Sequence, residues 1–138
     1  MGRLIGIDYG TKRTGLALTD PLQIIASPHK TVDTEQIVDY LETLVNQDKV
    51  DGFVLGWPTD LQGNETHSSK PVLEFRNRLR NKFPDIPVYE VDEKFTSKMA
   101  VRVMIEGGMK KKDRQNKGNI DKISASIILQ SYLETKTV

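Results

Sequence analysis

Five consecutive residues, Gly52-Phe53-Val54-Leu55-Gly56, carry no polar side chain. The run is too short for a helix and suits a strand buried on both faces, which demands helices above and below a sheet. The flanking sequence supplies them. Arg3 to Ile7 reads as a first strand, Gly10 to Gly15 as a turn and Leu16 to Thr19 as a second extended stretch. Asp20-Pro21 then turns the chain into a third, Gln23 to Ser27, completing an antiparallel meander. Asp33 with Gln36 resembles a capping box, and Ile37, Val38, Leu41, Leu44 and Val45 follow at helical spacing as far as Gln47. Past the apolar run, Ser68 or Ser69 can cap a helix with Pro71 in its first turn and Val72, Phe75, Leu79 and Phe83 on its buried stripe. Pro84 and Pro87 end that helix, Val88 to Val91 forms a fifth strand, and Thr96 or Ser97 opens a helix that runs to Ile105 and stops at Gly107-Gly108. A last helix spans Ile120 to Leu133, with Ile123, Ile127, Ile128, Leu129 and Tyr132 as its apolar residues. A meander feeding strands separated by crossover helices closes as one α/β domain over residues 1–138, a five-stranded mixed sheet with helices on both faces.

A chain of 138 residues, 37% hydrophobic and 28% charged, has room for one substantial core and the composition of a folded soluble protein. No apolar run approaches the roughly 20 residues of a membrane span, and the N-terminus lacks the long apolar stretch of a signal peptide, so a cytoplasmic protein without a membrane partner is expected. The absence of cysteine excludes disulfides, thiolate zinc sites and cysteine nucleophiles. A net charge of +1 gives little long-range attraction to a polyanion, so any such partner must be held by local clustering. The cluster present is Lys110, Lys111, Lys112, Arg114 and Lys117, bounded by Gly107-Gly108 and Gly118. A solvated surface loop is the commoner fate of such a run, and phosphate binding is the functional alternative.

Three acidic residues stand where elements end or begin. Asp8 closes the first strand, followed by glycines and by Lys12 and Arg13 in the same turn, and its bland role is to cap that turn. Asp92 and Glu93 end the fifth strand, where open α/β sheets gather ligand-binding residues, and only one of two adjacent residues can face a given side. Asp121 falls in the first turn of the last helix, where the helix dipole alone would favour a carboxylate. Together Asp8, Glu93 and Asp121 are the oxygen-only set that a hard divalent cation needs. His29 and His67 are isolated in polar loops and read as surface residues, and Trp57 reads as core packing more readily than as a base-stacking platform.

The blocks Gly6-Ile7-Asp8-Tyr9-Gly10-Thr11-Lys12-Arg13-Thr14-Gly15, Gly56-Trp57-Pro58 with Gly63-Asn64-Glu65, Val91-Asp92-Glu93-Lys94-Phe95-Thr96, and Lys117-Gly118-Asn119-Ile120-Asp121 with Ala125 and Ile128-Leu129 resemble the YqgF family. These are RuvX-like Holliday junction resolvases, also described as pre-16S rRNA nucleases. The blocks occur in order over nearly the whole chain. The resemblance implies an RNase H-like fold, a metal-dependent phosphodiesterase reaction and Asp8, Glu93 and Asp121 as the acidic triad. Three positions depart from the pattern: Lys94 stands where the family usually has Arg, Gly56 where the more distant RuvC-type resolvases suit a second carboxylate, and Ser124 where those resolvases repeat an Asp.

The expected chemistry is hydrolysis assisted by Mg²⁺ or Mn²⁺ held by Asp8, Glu93 and Asp121, with Lys12, Arg13, Lys94, Lys110, Lys111, Lys112, Arg114 and Lys117 holding phosphates of structured RNA or branched DNA. The protein is expected as a monomer or homodimer. Two other classes compete. Asp-x-Gly-Thr after a first strand also opens the phosphate hairpin of actin-like sugar kinases and ATPases, but those bind nucleotide between two lobes and this chain has length for one. The other is a catalytically silent nucleic-acid-binding protein that keeps the fold.

Overall fold

In a computed structural model the described residues are 2–57, 69–92, 108 and 117–136. Strands β1 (Arg3–Asp8), β2 (Arg13–Thr19) and β3 (Ala26–Asp33) come first, then a single 3₁₀ turn (Thr34–Gln36) and helix α1 (Ile37–Gln47). Strand β4 (Val50–Trp57), helix α2 (Ser69–Lys82), strand β5 (Val88–Asp92) and helix α3 (Lys117–Lys136) follow. The sheet order is β3-β2-β1-β4-β5. β1 pairs antiparallel with β2 and β2 with β3, whereas β4 runs parallel to both β1 and β5, so the sheet is mixed as expected.

Strand alternation sorts the core into two layers. Ile5, Ile7, Leu16, Phe53 and Leu55 pack with Ile37, Leu41 and Leu44 of α1 and Val72, Phe75 and Leu79 of α2. Leu4, Ala17 and Val54 pack with Ala125, Ile128, Leu129 and Leu133 of α3 on the opposite face. The apolar run in β4 is covered on both faces for this reason, Phe53 and Leu55 contributing to one layer and Val54 to the other. The stripe expected for α2 is buried in full, with Phe83 just past the helix end.

Several boundaries differ from expectation. β2 begins at Arg13 rather than Leu16, because Arg13, Thr14 and Gly15 pair with Asp33, Val32 and Thr31 of β3. The third strand is Ala26–Asp33, not Gln23 to Ser27. Asp20 diverts the earlier residues into a turn: its carboxylate accepts the amides of Leu22, Ile24 and Ile25 at 3.2, 2.8 and 2.8 Å, and Gln23 adopts a positive φ of 58°. The capping box is not made, since Asp33 is still paired within β3 and forms no side-chain cap. The last helix starts at Lys117, three residues earlier than expected, which moves Asp121 from the first turn into the second. The helix expected from Thr96 or Ser97 to Ile105, and the basic segment after it, lie outside the described residues.

Candidate active site

Along β1 the residues Leu4, Gly6 and Asp8 share the face toward α3. Leu4 is buried in that layer, and Gly6 lies so close beneath α3 that an added Cβ would meet the Ala125 carbonyl oxygen and Leu129 Cβ, each at 2.8 Å. Asp8, half-buried, is the next residue on this face. Its register partner across the β1–β2 ladder is Gly15. A Cβ at Gly15 would stand 2.1 Å from the carbonyl oxygen of Asp121 and 2.2 Å from its carbonyl carbon, so the second turn of α3 rests on the β2 backbone at this point. One glycine thus separates the strand end bearing Asp8 from the helical turn bearing Asp121.

Arg13 lies two residues before Gly15 and so on the same face. Its Nε donates to Asp121 Oδ2 at 3.0 Å, with the two side chains 38% and 23% exposed. Asp121 is therefore held by a cation rather than by the helix N-terminus. The connection between β1 and β2 is held as well, by threonines that sequence reading did not single out. The Thr34 hydroxyl donates to the Gly10 carbonyl at 2.5 Å, which leaves the buried Thr14 hydroxyl to donate to Thr34 at 2.9 Å. The Thr34 amide donates to the Lys12 carbonyl at 3.0 Å. Thr31 on β3 donates to the Gly118 carbonyl at 2.5 Å, tying the start of α3 to the sheet edge. Threonines in strand and turn sequence carry no signal for such roles, because their partners lie 20 to 87 positions away.

At the end of β5, Val91 packs in the α3 layer, whereas Asp92 pairs in register with Trp57, which packs in the α1/α2 layer. Asp92 therefore belongs to the face away from Asp8. The Arg76 guanidinium lies 5.3 Å from the centre of the Trp57 ring and also pairs with Glu90, so Trp57 is part of the α2 packing. Glu93, Lys94, Lys110, Lys111, Lys112, Arg114 and His67 lie outside the described residues, and Lys117 opens α3. Exposed His29 is hydrogen-bonded to the Tyr40 hydroxyl at 2.7 Å. Among the described residues no three His, Cys, Asp or Glu side chains group as a metal site, so Asp8 and Asp121 supply at most two ligands. Both offer only carboxylate oxygens, the donor type that suits Mg²⁺ or Mn²⁺. Among the described residues no helix is long and apolar enough to cross a membrane.

Comparison with known proteins bears on the fold and the family. Over 98% of its length the chain superposes on Thermus thermophilus RuvC in complex with a Holliday junction substrate, covering 95% of that chain at a TM-score of 0.60 and 14% identity. Thermus thermophilus RuvC in a second structure gives 0.54 at 17% identity, with 98% and 97% of the two chains covered. The fold is therefore RNase H-like. Sequence relatives are nearer. A protein of Phocaeicola vulgatus named "Putative pre-16S rRNA nuclease" is 51% identical over 99% of this chain and 98% of its own length. One of the same name from Amoebophilus asiaticus is 49% identical over 98% and 96%. The profile of the RuvX family, described as Holliday junction resolvase, matches residues 2–135, and the chain belongs to that family.

Proposed function

We propose that the protein is a divalent-metal-dependent nuclease that hydrolyses nucleic-acid phosphodiester bonds, with Asp8, Glu93 and Asp121 as its acidic triad. The observation that carries the proposal is the seating of Asp8 and Asp121 on either side of Gly15, at the end of the sheet where the parallel strands β4 and β5 also finish. Open α/β sheets bind their ligands at that end. Support for Glu93 over Asp92 comes from the alternation of β5. With Val91 on the α3 side and Asp92 on the other, the residue that an unbroken strand turns toward Asp8 is Glu93.

A bound Mg²⁺ or Mn²⁺ would lower the pKa of a water and stabilise charge developing on the leaving oxygen. The carboxylates of Asp8, Glu93 and Asp121 would hold the ion. Lys12, Arg13, Lys94 and the cations from Lys110 to Lys117 would hold flanking phosphates, making affinity fall with salt. The relatives' name points to precursor 16S rRNA and the family description to four-way junctions. Both substrates present the same phosphodiester to the triad.

The test is incubation of the purified protein with a precursor 16S rRNA 5′ segment, a single-stranded RNA and a four-way DNA junction, each with Mg²⁺, Mn²⁺ or EDTA. Cleavage that requires the ion and stops with EDTA is expected. Binding without cleavage in every condition would make the protein a silent nucleic-acid binder. Thermal stabilisation by ATP would favour the actin-like reading.

A further inference from the structure

The ion pair between Arg13 and Asp121 has a geometry that matters beyond charge neutralisation. The contact uses Nε and one carboxylate oxygen, Oδ2. Neither terminal amino group of Arg13 nor Oδ1 of Asp121 hydrogen-bonds to a side chain or carbonyl among the described residues. The Arg13 side chain is 38% exposed, so solvent reaches it. Its planar fork offers two parallel N–H groups on the edge away from Nε, the arrangement that grips a phosphate by two oxygens. On the helix side, the backbone of Asp121 is pressed against Gly15 and cannot retreat without opening the α3 contact.

We infer that Arg13 is a two-sided positioning residue: its Nε fixes the carboxylate of Asp121 while its terminal amino groups take a phosphate of the nucleic acid. This rests on the metal-dependent nuclease reading above. Coupling follows from the shared charge. Without nucleic acid, Arg13 lowers the effective charge of Asp121 and weakens divalent-ion binding. A phosphate on the far edge of the guanidinium draws that positive charge outward, so the ion and the nucleic acid each tighten the other. Equilibrium linkage requires the effect to be reciprocal. A lysine cannot substitute, because one ammonium cannot span both partners.

The test uses the full chain and two readouts that need no turnover: Mn²⁺ binding followed by its electron paramagnetic resonance signal, and binding of a fluorescent four-way junction or precursor RNA in Ca²⁺ followed by anisotropy. Relative to the parent, Arg13→Gln should bind Mn²⁺ several-fold more tightly and nucleic acid about tenfold more weakly, the loss of one charge-assisted pair of hydrogen bonds. The added tightening by Ca²⁺ should shrink in the same variant. Arg13→Lys should remain closer to Arg13→Gln than to the parent in nucleic-acid binding. Parent-like behaviour of Arg13→Lys in both assays would overturn the inference, since a point charge would then suffice. So would unchanged Mn²⁺ affinity in Arg13→Gln. If no protein, parent included, bound Mn²⁺ while cleavage persisted in EDTA, the metal reading would fail first and this inference with it.

Discussion

Gly15 is the position where the fold leaves least room, and replacing it with alanine should damage stability and chemistry together. The new Cβ would sit 2.1 Å from the Asp121 carbonyl oxygen, 2.2 Å from its carbonyl carbon and 2.7 Å from the Lys122 amide nitrogen, all backbone atoms. Ordinary contact begins at 3.4 Å, so α3 must withdraw by about 1 Å or more at its second turn. Overpacking of this kind costs about 1–3 kcal/mol, and rigid backbone on both sides places Gly15→Ala at about 3 kcal/mol. For a domain of this size that is a fall in Tm of about 10 °C. The withdrawal also carries Asp121 away from Asp8, and misplacement by about 1 Å can cost on the order of a hundredfold in rate. Thermal melts followed by circular dichroism, with cleavage rates taken well below both transitions, separate the two effects. Gly6→Ala is the internal comparison. Its Cβ would meet α3 at 2.8 Å, a smaller overlap farther from Asp121, so it should lose less stability and less rate. A Gly15→Ala protein that melts within about 2 °C of the parent and cleaves at the parent rate would refute the claim that this glycine sets the distance between the two carboxylates.

Asp8→Asn should abolish hydrolysis with little change in Tm, because the amide keeps the shape and loses the charge; an early-melting but active variant would make Asp8 a structural turn residue. Thr34→Val removes the hydroxyl that holds Gly10 and accepts from Thr14, so it should cost about 1–3 kcal/mol and lower the rate, while Thr34→Ser stays near the parent in both. Replacing Lys110, Lys111 and Lys112 with alanine should raise KM and flatten its salt dependence while leaving the saturated rate nearly unchanged, and an unaltered salt slope would assign those lysines to a solvated surface. Although His29 is largely exposed, partial desolvation of its ring, which stacks on Tyr40, and secondarily the charge of Lys30 hold its pKa below 6.5 in the folded state. The unfolded chain therefore takes up the proton first as pH falls through 6.5, so stability should decline there, and His29→Gln should flatten that part of the Tm–pH curve.

Most of the architecture was legible because burial leaves a period in the sequence. The stripe Val72, Phe75, Leu79 and Phe83 and the two-sided run in β4 follow from spacing alone, and both are buried as that spacing requires. The errors fall where a partner outside the local pattern decides the backbone. Gln23 to Ile25 has the apolar, β-branched character of a strand, yet Asp20 takes the amides that a strand would have used for pairing. Asp33 and Gln36 satisfy the pattern of a capping box, yet Asp33 is claimed by the ladder opposite Arg13. Local patterns offer these residues two outcomes, and the competing hydrogen bond, near in sequence for Asp20 and across the ladder for Asp33, chooses between them.

The candidate site divides along the same line. That Asp8 should emerge on the α3 face is already contained in the alternation that buries Leu4 and places Gly6 beneath Ala125 and Leu129, because the next residue in that series lies just past the covered part of the strand. The same alternation separates Asp92 from Asp8 through its pairing with Trp57. Asp121 could be chosen as a candidate from sequence, but its setting could not, since its partner Arg13 is 108 positions away. The helix-dipole explanation for Asp121 fails because α3 begins a turn earlier, at Lys117, and with it goes the plainest structural reason for a carboxylate there. What remains is a carboxylate held by an arginine, over a glycine that admits nothing larger, beside the strand end that carries Asp8. Stability alone does not explain that combination, because a partly exposed ion pair contributes little. The close approach has a reason if Asp8 and Asp121 must reach the same ion.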